Sequence, residues 1–194
     1  MRLGLMLIDY ERTNQPKTNA LMALMCFHAS RFDARQTNDG TMILFEEQDE
    51  SLWDSELINR GLHFLWLSAQ GTEISSYHLE AKIACWHCTK EDTPEKWNDI
   101  LNLYDQLMQI NYSPSVALNR VFAFNKVYGA TATLIEAQKL EKGNDHFYYL
   151  LLGELYKDLD RNMAKVNFEK AFSLAKTDTE KLEIQKKMTA LDGV

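Results

Sequence analysis

Leu150-Leu151-Leu152-Gly153-Glu154-Leu155-Tyr156, followed by Ala164, Phe168 and Ala171, decides the fold. Residues three and four apart share a helix face, so Leu152, Gly153 and Tyr156 lie together on one helix, and Ala164, Phe168 and Ala171 on the next. Gly153 and Ala164 remove bulk where two antiparallel helices must approach, while Tyr149, Tyr156 and Phe168 fill the space around them. The link Asp158-Leu159-Asp160-Arg161 is as short as a helical hairpin requires.

This spacing resembles the tetratricopeptide signature. Gly153 and Ala164 are eleven residues apart, against about twelve in the usual repeat. Residues 146–176 therefore read as a degenerate repeat whose turn is shortened by one. Hairpins of this kind bind partners along an extended surface.

The chain has 194 residues, 45% of them hydrophobic, enough to bury a core as one continuous domain over 1–194. Only 3 Pro and 8 Gly are present, and no Pro-rich or Ser/Gly-rich linker marks a boundary. Against 28 acidic side chains stand 21 basic ones, and the longest basic cluster is Lys186-Lys187. A duplex needs a concentrated basic surface, so direct nucleic-acid binding is disfavoured. Three cysteines, an odd number, point to reduced thiols and a cytoplasmic protein. The apolar run from Met1 to Ile8 is cut off by Asp9, Tyr10, Glu11 and Arg12, too soon for a secretory signal, and reads as a first helix. Nothing is long enough to span a membrane.

Helix signals recur along the chain. Pro16 opens a segment that Leu21, Met22, Leu24, Met25, Phe27 and His28 carry to about Arg31. Ser51-Leu52-Trp53-Asp54 offers a Ser cap with an acidic residue three on, and Leu57, Ile58, Leu62, Leu65 and Trp66 continue at helical spacing. Thr93-Pro94 and Ser113-Pro114 each place a capping hydroxyl before a Pro at the first helical position. Trp97, Ile100, Leu101, Tyr104, Leu107 and Met108 form one apolar stripe, and Ala117, Val121, Phe124 and Tyr128 another, which Gly129 ends. Thr177-Asp178-Thr179-Glu180 is a full capping box, and Glu183 and Lys187 behind it are spaced to pair. Between Ala34 and Glu47, Asn38-Asp39-Gly40 followed by Thr41-Met42-Ile43-Leu44-Phe45 predicts an ordered loop or small hairpin. The expectation is an all-α, tetratricopeptide-like right-handed superhelix of about nine to ten helices with a short loop or hairpin near 34–47.

Cys85-Trp86-His87-Cys88 has ligand-like spacing, but a second ligand pair is missing. On a helix Ile74, Tyr77, Ala81, Ala84, Cys85 and Cys88 recur as one apolar stripe, which turns both thiols to the core and His87 about 200° away from Cys85. His28, His63, His78, His87 and His146 are scattered, with no metalloprotease spacing and no nucleophile elbow. Gly40, Gly61, Gly71, Gly129, Gly143 and Gly153 are isolated, so no phosphate loop is present. No metal, no cofactor and no catalysis are expected.

Longer motifs carry a second resemblance. Ala23-Leu24-Met25-Cys26-Phe27-His28-Ala29-Ser30-Arg31, Ala34-Arg35, Asp39-Gly40, Ile43-Leu44, Gln48-Asp49 and Ser51-Leu52-Trp53-Asp54 appear in order. Tyr77-His78-Leu79-Glu80-Ala81-Lys82-Ile83-Ala84, Trp97, Ile100, Leu103-Tyr104-Asp105 and Ser113-Pro114-Ser115-Val116-Ala117-Leu118-Asn119-Arg120 follow. The series resembles the C-terminal extension of one group of extracytoplasmic-function (ECF) RNA polymerase sigma factors. The resemblance implies a regulatory, non-catalytic module whose partners are the upstream sigma domains and core RNA polymerase. The DNA-reading domains themselves are not in this sequence, so it reads as a fragment or a separately encoded extension. Lys181-Leu182-Glu183-Ile184-Gln185-Lys186-Lys187-Met188 is less Arg-rich than that family's terminal helix.

Within those motifs, Arg31, Arg35, Asp49, Trp53, Asp54, Asn119 and Arg120 are the candidate partner contacts. Asp49, Trp53 and Asp54 sit at a loop-to-helix junction, where capping and core packing compete with a contact role. Asn119 and Arg120 interrupt an apolar helix, and the bland alternatives are a hydrogen bond from Asn119 to a neighbouring helix backbone and a pair between Arg120 and a loop carboxylate. Two other functions fit the same fold: an independent peptide-binding scaffold, and a small-ligand or metal sensor. An apolar face at Leu3, Leu5, Leu7 and Ile8 would support a homodimer.

Overall fold

Hydroxyl and carboxylate caps set where the helices begin. Thr93, Ser113 and Asp160 each accept a hydrogen bond from the backbone N–H three residues on, at 3.2, 3.2 and 3.1 Å, and each such cap stabilises its helix by about 1 kcal/mol. The computed structural model describes residues 2–36, 43, 45–140 and 145–192, among which ten α-helices form, most but not all of them opened by such a side-chain cap. No β-strand occurs among the described residues, so the chain is all-α.

Two compact units divide it, Met1–Tyr112 and Ser113–Val194. The first holds α1 (Arg2–Ile8), α2 (Pro16–Ala29), α3 (Ser55–Ser68), α4 (Ser76–Trp86) and α5 (Pro94–Ile110). Between α2 and α3 lie two short 3-10 turns, Phe45–Glu47 and Glu50–Leu52. Helix α2 packs against α1, α3 and α4, and α4 against α5. Met22, Ala23, Cys26, Phe27, Phe64, Ala81 and Ala84 form the core of this unit. Gly61 lets α3 press close to α2, since a Cβ there would lie 2.6 Å from the Phe27 ring.

In the second unit are α6 (Pro114–Tyr128), α7 (Ala130–Ala137), α8 (His146–Tyr156), α9 (Arg161–Leu174) and α10 (Asp178–Asp192). The expected hairpin over 146–176 is α8 and α9: Ala164, Phe168 and Ala171 are buried, with Tyr149 and Tyr156 packed on them. Helix α10 seals the other side of α9 with Ile184 and Leu191. Gly129 is at once the C-cap of α6 and the N-cap of α7, with φ +78°, a conformation few side chains accept. Its carbonyl receives the Thr133 hydroxyl at 2.7 Å.

Several expectations change. Ser51 does not cap α3; it sits in the second 3-10 turn, whose cap is Asp49, and Asp54 caps α3 through Leu57 N at 2.9 Å. The inner face of α3 is Gly61, Phe64 and Ser68, which leaves Leu62 and Trp66 outside, because the glycine side makes the closer approach. Ile74 precedes α4 and is exposed, and Tyr128 is exposed at the end of α6. Lys187 does not pair with Glu183 but reaches Glu154 on α8 at 2.6 Å, while Lys186 takes Glu183 at 2.7 Å. The box at Thr177 forms as expected, with Glu180 N on the Thr177 hydroxyl at 3.2 Å and Thr177 N on the Glu180 carboxylate at 3.0 Å. The predicted turn at Asn38-Asp39-Gly40, with Thr41, Met42 and Leu44, lies outside the described residues, as does Gly143. Next to that stretch, Ile43 N donates to Arg35 O at 2.8 Å.

Gly153→Ala tests the hairpin. The added Cβ would lie 2.4 Å from the ring of Phe168, itself 1% exposed and unable to swing out. Overpacking of this kind costs about 1–3 kcal/mol and outweighs the roughly 1 kcal/mol gained in helix propensity. A lowered urea midpoint with an unchanged m-value is expected; an unchanged or raised midpoint would show that α8 and α9 are not held at this distance.

Candidate functional site

The candidate contacts of the first unit gather around a knot of cations and rings. Arg31 follows α2 and is 5% exposed; Lys96, in the first turn of α5, is 1% exposed. Burying two such charges requires compensation, which aromatic faces supply here. The Arg31 guanidinium lies 5.3 Å from the centroid of Phe45 and 5.8 Å from that of Trp53, whose rings stack on each other at 6.2 Å. Lys96 Nζ lies 5.4 Å from Phe45 and 5.9 Å from Trp97, and donates to Thr89 O at 2.6 Å. Trp97 Nε1 in turn donates to Asp92.

His87, the residue after α4, packs edge-on against Phe45 at 5.4 Å and Trp97 at 6.1 Å. Burial, reinforced by the Arg31 and Lys96 charges, brings its pKa from 6.5 to about 4, so the ring is neutral near pH 7. Burial also lowers the pKa of His28, with Arg35 next in effect and its guanidinium 3.3 Å from the ring. Asp54 N donates to Ser30 O at 2.8 Å, which ties the start of α3 to the end of α2. Arg31 Nε and Trp53 Nε1 have no hydrogen-bond partner among the described residues.

The candidates thus separate by role. Arg31 and Trp53 are internal to the knot, Arg35 flanks it, and Asp49 and Asp54 are exposed caps beside it. Asn119 and Arg120 lie in the second unit on α6. Asn119 is exposed rather than bonded to a neighbouring backbone, and the Arg120 guanidinium meets Glu136 at 3.2 Å, on α7 rather than on a loop. Phe45, His87, Lys96 and Trp97 are members of the knot that sequence reasoning did not select. The adjacency of Lys96 to Trp97 in an otherwise apolar stripe was the available signal.

Beside the knot runs a groove of about 600 Å³ between α3, α4 and α5. Ile58, Leu62 and Leu65 form its apolar wall on α3, and Asp99, Asn102 and Gln106 its polar wall on α5, with Lys82, Cys85, Trp86, Cys88 and Leu103 between. The thiols are poor nucleophiles: burial pushes Cys85 up to about 11, with Cys88 adding to the shift, and burial raises Cys88 as well. Cys88 Sγ instead points to Ala84 O at 3.4 Å. Among the described residues no group of three or more His, Cys, Asp or Glu could hold a metal ion, and no helix is long and apolar enough to cross a membrane.

Residues 1–69, which include α1, α2, both 3-10 turns and α3, match a family model described as a family of unknown function, DUF6596. A protein of Rhizobium meliloti (strain 1021), described as uncharacterized, is 33% identical over 182 residues, 91% of this chain. The chain spans 43% of that protein's length. No solved structure matches.

The knot has a pH signature. With the folded His87 pKa below its unfolded value of 6.5, the unfolded chain binds the extra proton, so stability is full above about pH 6.5 and falls toward about pH 4, by up to about 3 kcal/mol. His87→Gln, uncharged throughout, is expected to lose most of that slope in urea midpoints taken across the interval. The residual slope belongs to His28 and His78, whose pKa values are also lowered, chiefly by burial, and at its acid end to Asp49, Glu136 and Glu180, whose carboxylates are held low by hydrogen bonds. An undiminished slope in the variant would remove His87 from the knot.

Proposed function

We propose that the chain is a non-catalytic regulatory module of an ECF-type RNA polymerase sigma factor, acting in the cytoplasm through contacts with the sigma DNA-binding domains or with core polymerase. The observation that carries this reading is the extent of the relative. Similarity runs through 91% of this chain yet occupies 43% of the relative, so in that protein the same helical region is one part of a polypeptide more than half of which is something else. A regulator tethered to the machinery it controls has that organisation. The ordered motifs from Ala23 to Arg120, which resemble the ECF sigma-factor extension, support sigma domains or core polymerase as the tethered partner.

Charge supports protein rather than nucleic acid as the direct contact. Residues 1–112 carry nine Lys and Arg against seventeen Asp and Glu, while residues 113–194 carry twelve against eleven. The first unit therefore repels phosphate and attracts basic protein surfaces. Exposed Asp49 and Asp54, together with Glu46, Glu47, Glu50 and Glu56, concentrate that charge next to the knot.

The test is a titration at physiological salt of the chain, supplied in trans, against the separately expressed two-domain sigma fragment and against core polymerase. Saturable binding to either at micromolar concentration or tighter is expected. Absence of binding to both, with the helical spectrum intact, would transfer the assignment to a free-standing peptide scaffold.

A further inference from the structure

We propose that the groove between α3, α4 and α5 is a docking site for a basic amphipathic helix, one carrying aliphatic residues along one face and Lys or Arg along its edge. The groove's two walls differ in chemistry. Ile58, Leu62 and Leu65 on α3 line it at helical spacing, and next to Leu65, outside the lining itself, Trp66 stands 62% exposed with His63 stacked on it at 6.4 Å. Leu62 is itself 45% exposed. The lining is a row of aliphatic positions at the spacing that accepts the apolar face of a partner helix, and the exposed Trp66 at its edge is of a residue type enriched at binding hot spots. The facing wall, Asp99, Asn102 and Gln106, offers hydrogen-bonding groups at the same pitch.

Charge selects the occupant's sign. Helices α3, α4 and α5 follow one another through short connections and pack in sequence, so α3 and α5 run the same way and their N-terminal ends share one end of the groove. Exposed Glu56 precedes Ile58 at that end on α3, and exposed Glu95 precedes Asp99 on α5. Among the described residues Lys82 is the one cation in the lining, and the surrounding unit carries nearly twice as many acidic as basic side chains. A helix with Lys or Arg at the Glu56 and Glu95 end meets complementary charge; an acidic helix meets repulsion. The inference holds whether or not the partner belongs to a sigma factor.

The experiment titrates the full chain with three labelled helical peptides of equal length: Leu/Lys amphipathic, Leu/Glu amphipathic, and a scrambled Leu/Lys sequence of the same charge. Fluorescence anisotropy should show tighter binding of the first than of either other. Two exposed variants separate docking from bulk attraction, since they change the net charge in opposite directions. Leu62→Asp makes the chain more acidic, and Asn102→Lys less so. If the groove is the site, both weaken binding of the Leu/Lys helix by about tenfold or more, since each puts a charge into the contact. If binding is only attraction to an acidic surface, Leu62→Asp strengthens it and the scrambled peptide binds equally well. Either of those results, or no binding of the Leu/Lys helix, overturns the proposal.

Discussion

A phenylalanine ring seated on a glycine holds each unit together. In the first, Phe27 of α2 lies where a Cβ of Gly61 on α3 would be; in the second, Phe168 of α9 lies where a Cβ of Gly153 on α8 would be. Helices brought this close bury their small residues completely: Ala23, Ala81, Ala164 and Ala171 are all fully enclosed. The aromatic ring then replaces the volume the glycine gave up, so packing density is kept without long side chains. Other helices add to these two crossings, α4 to the first and α10 to the second.

Around the first crossing the chain buries charge, which is unusual because taking a cation into a dry interior is costly. Arg31 and Lys96 are accommodated by ring faces on more than one side and, for Lys96, by the Thr89 carbonyl. Phe45 is the shared element, facing Arg31, Lys96, Trp53 and His87 at once. One ring from the stretch between α2 and α3 thereby links residues at the end of α2, the end of α4 and the start of α5. The exposed caps Asp49 and Asp54 are placed by the same arrangement.

Local signals in the sequence were sufficient for most helix starts and for the α8–α9 hairpin. Thr93-Pro94, Ser113-Pro114 and Thr177 through Glu180 act through neighbours within four residues, so their geometry is written in adjacent letters. Ser51 misled because Ser51 and Asp54 both carry capping groups, and the choice depended on the short turn that Asp49 closes. Lys187 misled because its partner Glu154 lies 33 positions away on another helix. The knot was mostly illegible for the same reason: Trp97 beside Lys96 is its one local sign, while Phe45 and Trp53, whose rings cover Arg31 and, for Phe45, Lys96 as well, arrive from another segment. The groove likewise depends on three helices meeting and has no linear signature.

Gly129 leaves α6 and α7 without a connecting loop, because a single residue closes one helix and opens the next. Each residue of an α-helix advances its face by about 100°, so one extra residue at this junction would turn Thr133 and Ala137 from their buried positions. Ala137 would carry with it the carbonyl that receives the Tyr148 hydroxyl at 3.5 Å. The junction therefore fixes the rotational phase of α7 against α6, and an insertion here disturbs the packing of the second unit directly.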